Sequence, residues 1–331
     1  MEELYYKKCN LCPRECGTNR IDIPSGFCME SSRIKIASAC LHFGEEPPIT
    51  VFGGSGTIFV SGCNLHCGFC QNYQISQQGM GKEISSREFA NICLKLQAEG
   101  AENINIVTGS HGIPALAKGI TLAKEIGLSI PVCWNSSAYE KPETLKLLLG
   151  LVDIWLPDLK TLNPVLSQNV FKAKDYPERA KEAILFMLEN SPMKLETVAT
   201  KTGDKREKMQ SGVIVRHLFL PGRMDDTIFT LEWLKNNVDV RGFVSLMTQY
   251  TPVPFKESPV ASKERQKSLS ALSNRLVSSE EFADLQDLLV AYNFENIFYQ
   301  ELEQDTSWLP DFSKVQPFPN KLAKPIWHWT E

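Results

Sequence analysis

The chain has 331 residues, of which 43% are hydrophobic and 22% charged; that is enough apolar surface for a full core and too little charge for bulk disorder. Lysine and arginine number 35 against 39 aspartates and glutamates, a net charge of -4, so nothing electrostatic points to nucleic acid or an anionic membrane as a partner. No stretch approaches the ~18 consecutive apolar residues of a membrane span. The opening MEELYYKKCN has no apolar signal core, so a cytoplasmic protein with ten reduced cysteines is expected.

In chain order, the first fifty residues show little periodicity but hold Cys9, Cys12, Cys16 and Cys28. Gly53-Gly54-Ser55-Gly56 precedes a strand instead of opening a helix, and no Gly-Lys-Ser/Thr follows, so it reads as a turn and not a phosphate loop. Short apolar runs rich in Val and Ile then predict strands near 57–61, 103–108, 130–134, 152–156, 213–219 and 243–247. Between them, helices are predicted near 85–99, 114–126, 142–149, 177–190 and 225–237. Ser85 to Glu88 fits a capping box, and Asp225 or Asp226 is the expected cap of the last helix. The run Lys201 to Lys208 reads as a solvated loop.

Six strands alternating with five helices predict an α/β fold, a partial (β/α)6 TIM-like barrel. The pattern breaks near Thr251-Pro-Val-Pro-Phe, after which a helix near 279–292, a strand near 296–300 and a tail rich in Pro and Trp follow. The expected division is a Cys-rich N-terminal segment (1–50), the barrel (51–252) and a C-terminal extension (253–331) covering it. Trp308, Trp327 and Trp329 read as core or cover in that extension.

Cys63, Cys67 and Cys70 lie in SGCNLHCGFCQN directly after the first barrel strand, spaced C-x3-C-x2-C. Soft thiolates suit a soft metal centre. A [4Fe–4S] cluster takes four cysteines, so three from one loop leave one iron open. A closed structural zinc site would need a fourth ligand; His66 is the nearest, but its place inside the loop makes that geometry awkward. Gly62 and Gly68 supply backbone freedom, and the loop sits at a strand C-terminus, where such barrels carry their chemistry.

This loop, with Phe69 before the last cysteine, resembles the radical S-adenosylmethionine (SAM) superfamily. The resemblance implies a [4Fe–4S] cluster whose open iron binds the amino and carboxylate groups of SAM. An electron then breaks the S–C5′ bond, and the 5′-deoxyadenosyl radical abstracts hydrogen from a substrate. It also implies an electron donor such as flavodoxin or ferredoxin, and Phe69 near the adenine. Where the family often has a Gly-Gly-Glu segment after the second strand, this chain has Thr108-Gly109-Ser110-His111; Thr108 and Gly109 carry over through backbone only.

Asn135 and Ser136 end the third strand, and Leu156-Pro157-Asp158-Leu159-Lys160 ends the fourth. Asp158 and Lys160 match a D-L-K motif placed near SAM. Arg216 lies inside an apolar strand and needs a partner; the resemblance gives it the SAM carboxylate, and the alternative is an ion pair with Asp158 or Glu196. His217 points the other way, into packing. Gln249 and Tyr250, after the sixth strand, would close the adenine side.

LPDLK, RHLFLPG and SLMTQY resemble the activating enzyme of pyruvate formate-lyase. With CNLCPRECG, WNSSAYE and the WLPDF tail they resemble its PflX-type branch. That implies an oxidoreductase abstracting hydrogen from a backbone glycine of a glycyl-radical enzyme. Two alternatives stand beside it: the same radical acting on a small molecule or peptide, and a non-catalytic iron–sulfur scaffold or electron carrier.

Cys9-x2-Cys12-x3-Cys16-x11-Cys28 suggests a second metal, zinc or [4Fe–4S]. Cys93 and Cys133 read as small core residues and Cys40 is ambiguous. His42, near Glu45 and Glu46, reads as part of a solvated loop, and His111 and His328 are isolated.

Overall fold

The computed structural model describes residues 3–200, 203–302, 306–319 and 321–331; Lys201 and Thr202 of the expected charged loop lie outside them. The strands are β1 (Ile34–His42), β2 (Ser55–Val60), β3 (Lys82–Ile84), β4 (Ile104–Val107), β5 (Val132–Ser136), β6 (Ile154–Pro157), β7 (Lys194–Ala199), β8 (Lys205–Leu218), β9 (Phe243–Met247), β10 (Ile297–Tyr299) and β11 (Ala323–His328). They form one sheet in the order β10-β9-β8-β6-β5-β4-β2-β1-β11, with β3 on β1 and β7 on β8.

The neighbours β2, β4, β5, β6, β8 and β9 are all parallel, and they are the six strands predicted from the apolar runs. Helices connect them, which is the arrangement that lets parallel strands be covered on the outside. The sheet does not close: β10 adds in parallel to β9 at one edge, and β1 and β11 add antiparallel at the other. This is a partial TIM-like barrel.

Local chemistry explains most boundaries. Ser85 and Glu88 form the predicted capping box on helix Ser86–Ala98. Helix Met224–Asn237 differs from expectation: its N-cap is Arg223, without a side-chain cap, and Asp225 and Asp226 lie in the first turn. Asp225 is tied to Arg223, and Asp226 accepts from the Leu162 N–H. Helices Pro164–Phe171 and Pro259–Leu269 were not predicted, although each follows an Asn-Pro or Ser-Pro pair that supplies both cap and first residue. The predicted helix 142–149 is an α-turn, Pro142–Leu145, continued as a 3-10 turn.

β1, β3, β7 and β11 escaped the pattern, β1 and β7 for opposite reasons. β1 is buried along nearly its whole length, so it shows no two-residue alternation. Residues 205–208, read as a solvated loop, are strand: β7 and the start of β8 form an exposed hairpin in which Glu196 opposes Lys208 and Thr197 donates to Glu207. Cys40, Cys93 and Cys133 are buried in β1, a helix and β5. His328 is buried in β11 against Thr330 and the Phe312 carbonyl.

The base of the barrel is plugged by Ile49, which packs with Cys133, Ile154, Leu156, Met209 and Ile214. Ile49 belongs to the β1–β2 connection, which is anchored by Glu102. Glu102 Oε1 accepts the N–H groups of Val51, Phe52 and Gly53 at 2.8, 2.8 and 2.7 Å. Its Oε2 pairs with Lys208 at 2.9 Å. The glycine-rich turn therefore spends its amides on a carboxylate of the protein itself.

Burial opposes the Glu102 charge, but Lys208 and the three amides outweigh it and hold the carboxyl below its usual range. Glu102→Ala orphans those amides and is expected to lower stability by about 2–4 kcal/mol in urea unfolding. Since the folded pKa is depressed, the Glu102 contribution is complete above the ordinary carboxylate value of 4.5 and fades as pH falls through the folded one; the variant should therefore lose less on acidification than the wild type.

Candidate active site

Residues 62–70 leave the end of β2 as an irregular loop, and Cys63, Cys67 and Cys70 all line one cavity of about 410 Å³ at the C-terminal ends of the parallel strands. The thiols are close enough to oppose one another's ionisation. Burial first, then neighbouring sulfurs, raises Cys63, and burial raises Cys67 to about 12. As bare thiols they stay protonated; a bound metal is what would deprotonate them.

The loop is held from both sides. Gly62 has φ +80°, and a Cβ there would lie 2.3 Å from Glu30 Cγ, 3.1 Å from the Cys28 carbonyl and 3.1 Å from His111 Nε2. At Gly68 a Cβ would lie 2.4 Å from Ser268 Oγ. Arg14 Nε donates to the Asn64 carbonyl at 2.9 Å, and Arg265 donates to the Gly68 carbonyl and to Gln77, each at 3.0 Å. Glu257 fixes Arg265 in turn. Neither arginine was legible as a site residue, because each acts from a distant segment of chain.

His66 is outside the cavity wall. Its ring stacks on Phe27 at 4.3 Å, and burial, then Lys172 and Arg14, lowers its pKa to about 4. Among the described residues, no three His, Cys, Asp or Glu side chains converge on a single ion.

The other strand ends face the same space. Asp158 follows β6 and bridges two cations: Lys160 Nζ lies 2.6 Å from Oδ2, and Arg216 Nε 2.8 Å from Oδ1. Arg216 also donates from Nη2 to Asn135 Oδ1. Among the described residues its Nη1 makes no hydrogen bond. The pairing with Asp158, the alternative to a ligand carboxylate, is therefore present.

Burial works against the Asp158 charge, but Arg216 and then Lys160 prevail and its carboxyl sits below the usual range. The Tyr176 hydroxyl donates to the Asp158 carbonyl and accepts from the Lys160 N–H, fixing the segment.

Phe69, Thr108, Ser136 and Gln249 also line the cavity. Phe69 meets Phe171 and Tyr250 edge-on. Thr108 has φ +66°. Gly109 faces away from the cavity: a Cβ there would lie 2.4 Å from the Trp134 ring. His217 is buried between the Leu159 carbonyl and Thr227, as its strand parity predicts. Glu140 accepts from Trp134 Nε1 at 2.8 Å and Ser136 Oγ at 2.7 Å, so the WNSSAYE segment braces β5 and its end.

Two groups of cavity residues were missed. His42, Glu45 and Glu46, read as solvated, form part of the wall, with His42 Nδ1 3.1 Å from Glu45 Oε1. The C-terminal tail contributes Trp308, Pro310, Phe318 and Leu322. The local signal for the first group was Glu45-Glu46-Pro47-Pro48, a rigid acidic insertion between two strands.

The N-terminal cysteines lie behind the loop. Cys9, Cys12 and Cys28 are buried and Cys16 is exposed. Burial raises Cys12 to about 11, with Cys28 and Cys9 adding to the rise. Arg20 Nη1 donates to Cys9 Sγ at 3.3 Å and to the His111 carbonyl at 3.1 Å, joining this segment to the end of β4. The single-ion convergence a zinc site needs is absent here too among the described residues.

Residues 57–208 match the family model of the radical SAM superfamily. Over 307 residues the chain is 31% identical to uncharacterized protein MJ0674 of Methanocaldococcus jannaschii, covering 88% of this chain and 77% of that protein. Among solved structures it is similar to Streptococcus suis SuiB, at 13% identity and TM-score 0.45, over 72% of this chain but only 47% of that one. It is also similar to a domain of pyruvate-formate lyase-activating enzyme from Bacteroides vulgatus, at 12% identity and TM-score 0.35, over 56% of this chain and 89% of that domain. No helix among the described residues is long and apolar enough to cross a membrane.

Asp158→Asn would leave Lys160 and Arg216 buried without their counter-charge. A loss of about 3–5 kcal/mol is expected in denaturant unfolding, against a much smaller loss for the exposed pair partner Glu178→Gln.

Proposed function

The chain belongs to the radical SAM superfamily, and we propose that it cleaves SAM reductively and delivers the radical to a compact substrate held beneath its C-terminal tail. One observation carries this reading: three thiols of a single loop, the Asp158–Lys160–Arg216 group and the tail residues all border one cavity. Cys63, Cys67 and Cys70 would hold a [4Fe–4S] cluster, each binding one iron and leaving the fourth for SAM. When bound, the cluster supplies the electron that splits SAM into methionine and a 5′-deoxyadenosyl radical; the external donor would be a flavodoxin- or ferredoxin-like protein.

The protein's own part is positioning and exclusion of water. Arg216 Nη1 is free to donate to the SAM carboxylate while Asp158 and Asn135 hold the rest of the guanidinium still. Lys160 adds a second cation beside the thiols; burial would lower its pKa, but Asp158 and then Cys67 raise it above its ordinary value, so it stays charged. Phe69 and Gln249 offer an aromatic edge and an amide for the adenine. Trp308, Pro310, Phe318 and Leu322 add apolar surface to the cavity wall, where a radical needs protection from solvent.

The tail is what favours a small molecule or short peptide. A glycine loop of a partner enzyme is the second reading, supported by LPDLK, RHLFLPG and SLMTQY; it requires the tail to swing aside. A non-catalytic scaffold or electron carrier would have no use for an open iron.

Anaerobically reconstituted protein with SAM and dithionite is expected to release 5′-deoxyadenosine, and SAM should alter the electron paramagnetic resonance of the reduced cluster. Cys63→Ala, Cys67→Ala and Cys70→Ala should fall to the level of the buffer control, and Arg216→Lys should weaken SAM binding about tenfold. No product and no spectral change in the wild type would leave the carrier reading. A glycyl radical appearing on an added partner enzyme would replace the compact substrate with the second reading.

A further inference from the structure

The cavity beside the thiols is charged. Three carboxylates, Asp158, Glu45 and Glu46, border it with three permanent cations, Lys160, Arg216 and Lys321. Lys160 and Arg216 are both engaged by Asp158, and Lys321 is partnered as well. Glu45, with only 8% of its side chain exposed, faces His42. Among the described residues Glu46 has no ion-pair partner, and its carboxylate meets its own backbone N–H. Burial raises its carboxyl pKa, and the more distant Arg216 offsets this only in part.

A second observation lies beside it. Asn105 on β4 is fully buried; its amide leans on the Glu45 carboxylate and helps to hold it ionised, but neither its Nδ2 nor its Oδ1 makes a well-formed hydrogen bond. It shares a strand face with Val107, which lines the cavity, and its amide lies next to Glu45. A buried amide with two unmet atoms is costly unless something completes it. Around these groups the wall includes the apolar Phe59 and Val107 beside Thr57.

We propose that Glu46, supported by Glu45 and Asn105, is the specificity site of this cavity and anchors a cationic nitrogen, an ammonium or guanidinium, on the substrate. The assignment rests on the reading of this cavity as the place of SAM chemistry. Glu46 lies on the β1–β2 connection whose Ile49 plugs the barrel. Its carboxylate is therefore held from below, while the thiols occupy a loop at the end of β2. A substrate anchored by its charged end on the floor would present its carbon chain toward the thiol side. A neutral or anionic group in the same place would leave the carboxylate unpaired or repel it.

The test uses reconstituted protein saturated with SAM, at about pH 8. Ligand-observed NMR is titrated with n-butylamine, n-butylguanidine, neutral N-butylacetamide, butyrate and the tripeptide acetyl-Gly-Lys-Gly-amide. Cations should bind at least about tenfold more tightly than N-butylacetamide, with butyrate weakest. Glu46→Gln should abolish the preference and Glu46→Asp should keep part of it. Binding of the tripeptide as well as butylamine assigns the site to a peptide lysine; binding of butylamine alone assigns it to a free amine.

Equal affinity for the neutral probe, a preference surviving Glu46→Gln, or cation binding seen only when SAM is left out would each overturn the proposal, the last by assigning Glu46 to SAM itself. If the melting curve shows Glu46→Gln unfolded, wild-type discrimination and Glu46→Asp decide. Cation selectivity without 5′-deoxyadenosine release would keep this site and remove the reaction; release without selectivity would do the reverse.

Discussion

The structure depends on one constraint: a loop that belongs to no sheet or helix must turn three sulfurs to the same side while its own backbone is buried. Residues 62–70 cannot satisfy their carbonyls through a ladder, and each one left bare would cost on the order of 1–3 kcal/mol. Arg14 and Arg265 supply donors at Asn64 and Gly68 from opposite ends of the chain. The N-terminal segment and helix Pro259–Leu269 close on the loop so tightly that Gly62 and Gly68 have no room for a side chain. The flanking regions thus act on the loop directly, as well as covering the barrel.

The second level of order is electrostatic. Parallel strands end together, so their terminal polar groups meet in one place, and that place is poorly hydrated. Asp158, Lys160, Arg216 and Asn135 come from three strand ends and hold one another still. Such a group is costly to assemble and more costly to leave incomplete. It gives the cavity a rigid ion-paired wall, and the β1–β2 connection adds Glu45 and Glu46 to the same lining.

Much of this was legible in the residues. The six parallel strands were readable because each is a short apolar run covered on both faces, and the capping box at Ser85 because its partners are three residues apart. The thiol loop was readable because its ligands are local. Strand parity placed Arg216 inward and His217 outward, and both are found so. β1 was hidden by uniform burial, and the β7–β8 hairpin by its exposed charge. Glu45 and Glu46 read as solvated in the sequence because nothing local shows that the segment bearing them enters the barrel.

The amino-acid sequence by itself therefore determined the kind of chemistry and the repeating scaffold, since both rest on spacings of a few residues read against fixed strand and helix periods. Only the tertiary structure decided what surrounds the thiols: which arginines hold their loop, where His66 turns, and that the tail and the β1–β2 connection complete the cavity. Those contacts join residues up to some two hundred positions apart. Their energy comes from burying a charge or a carbonyl beside its partner, and no local pattern records which distant segment will provide that partner.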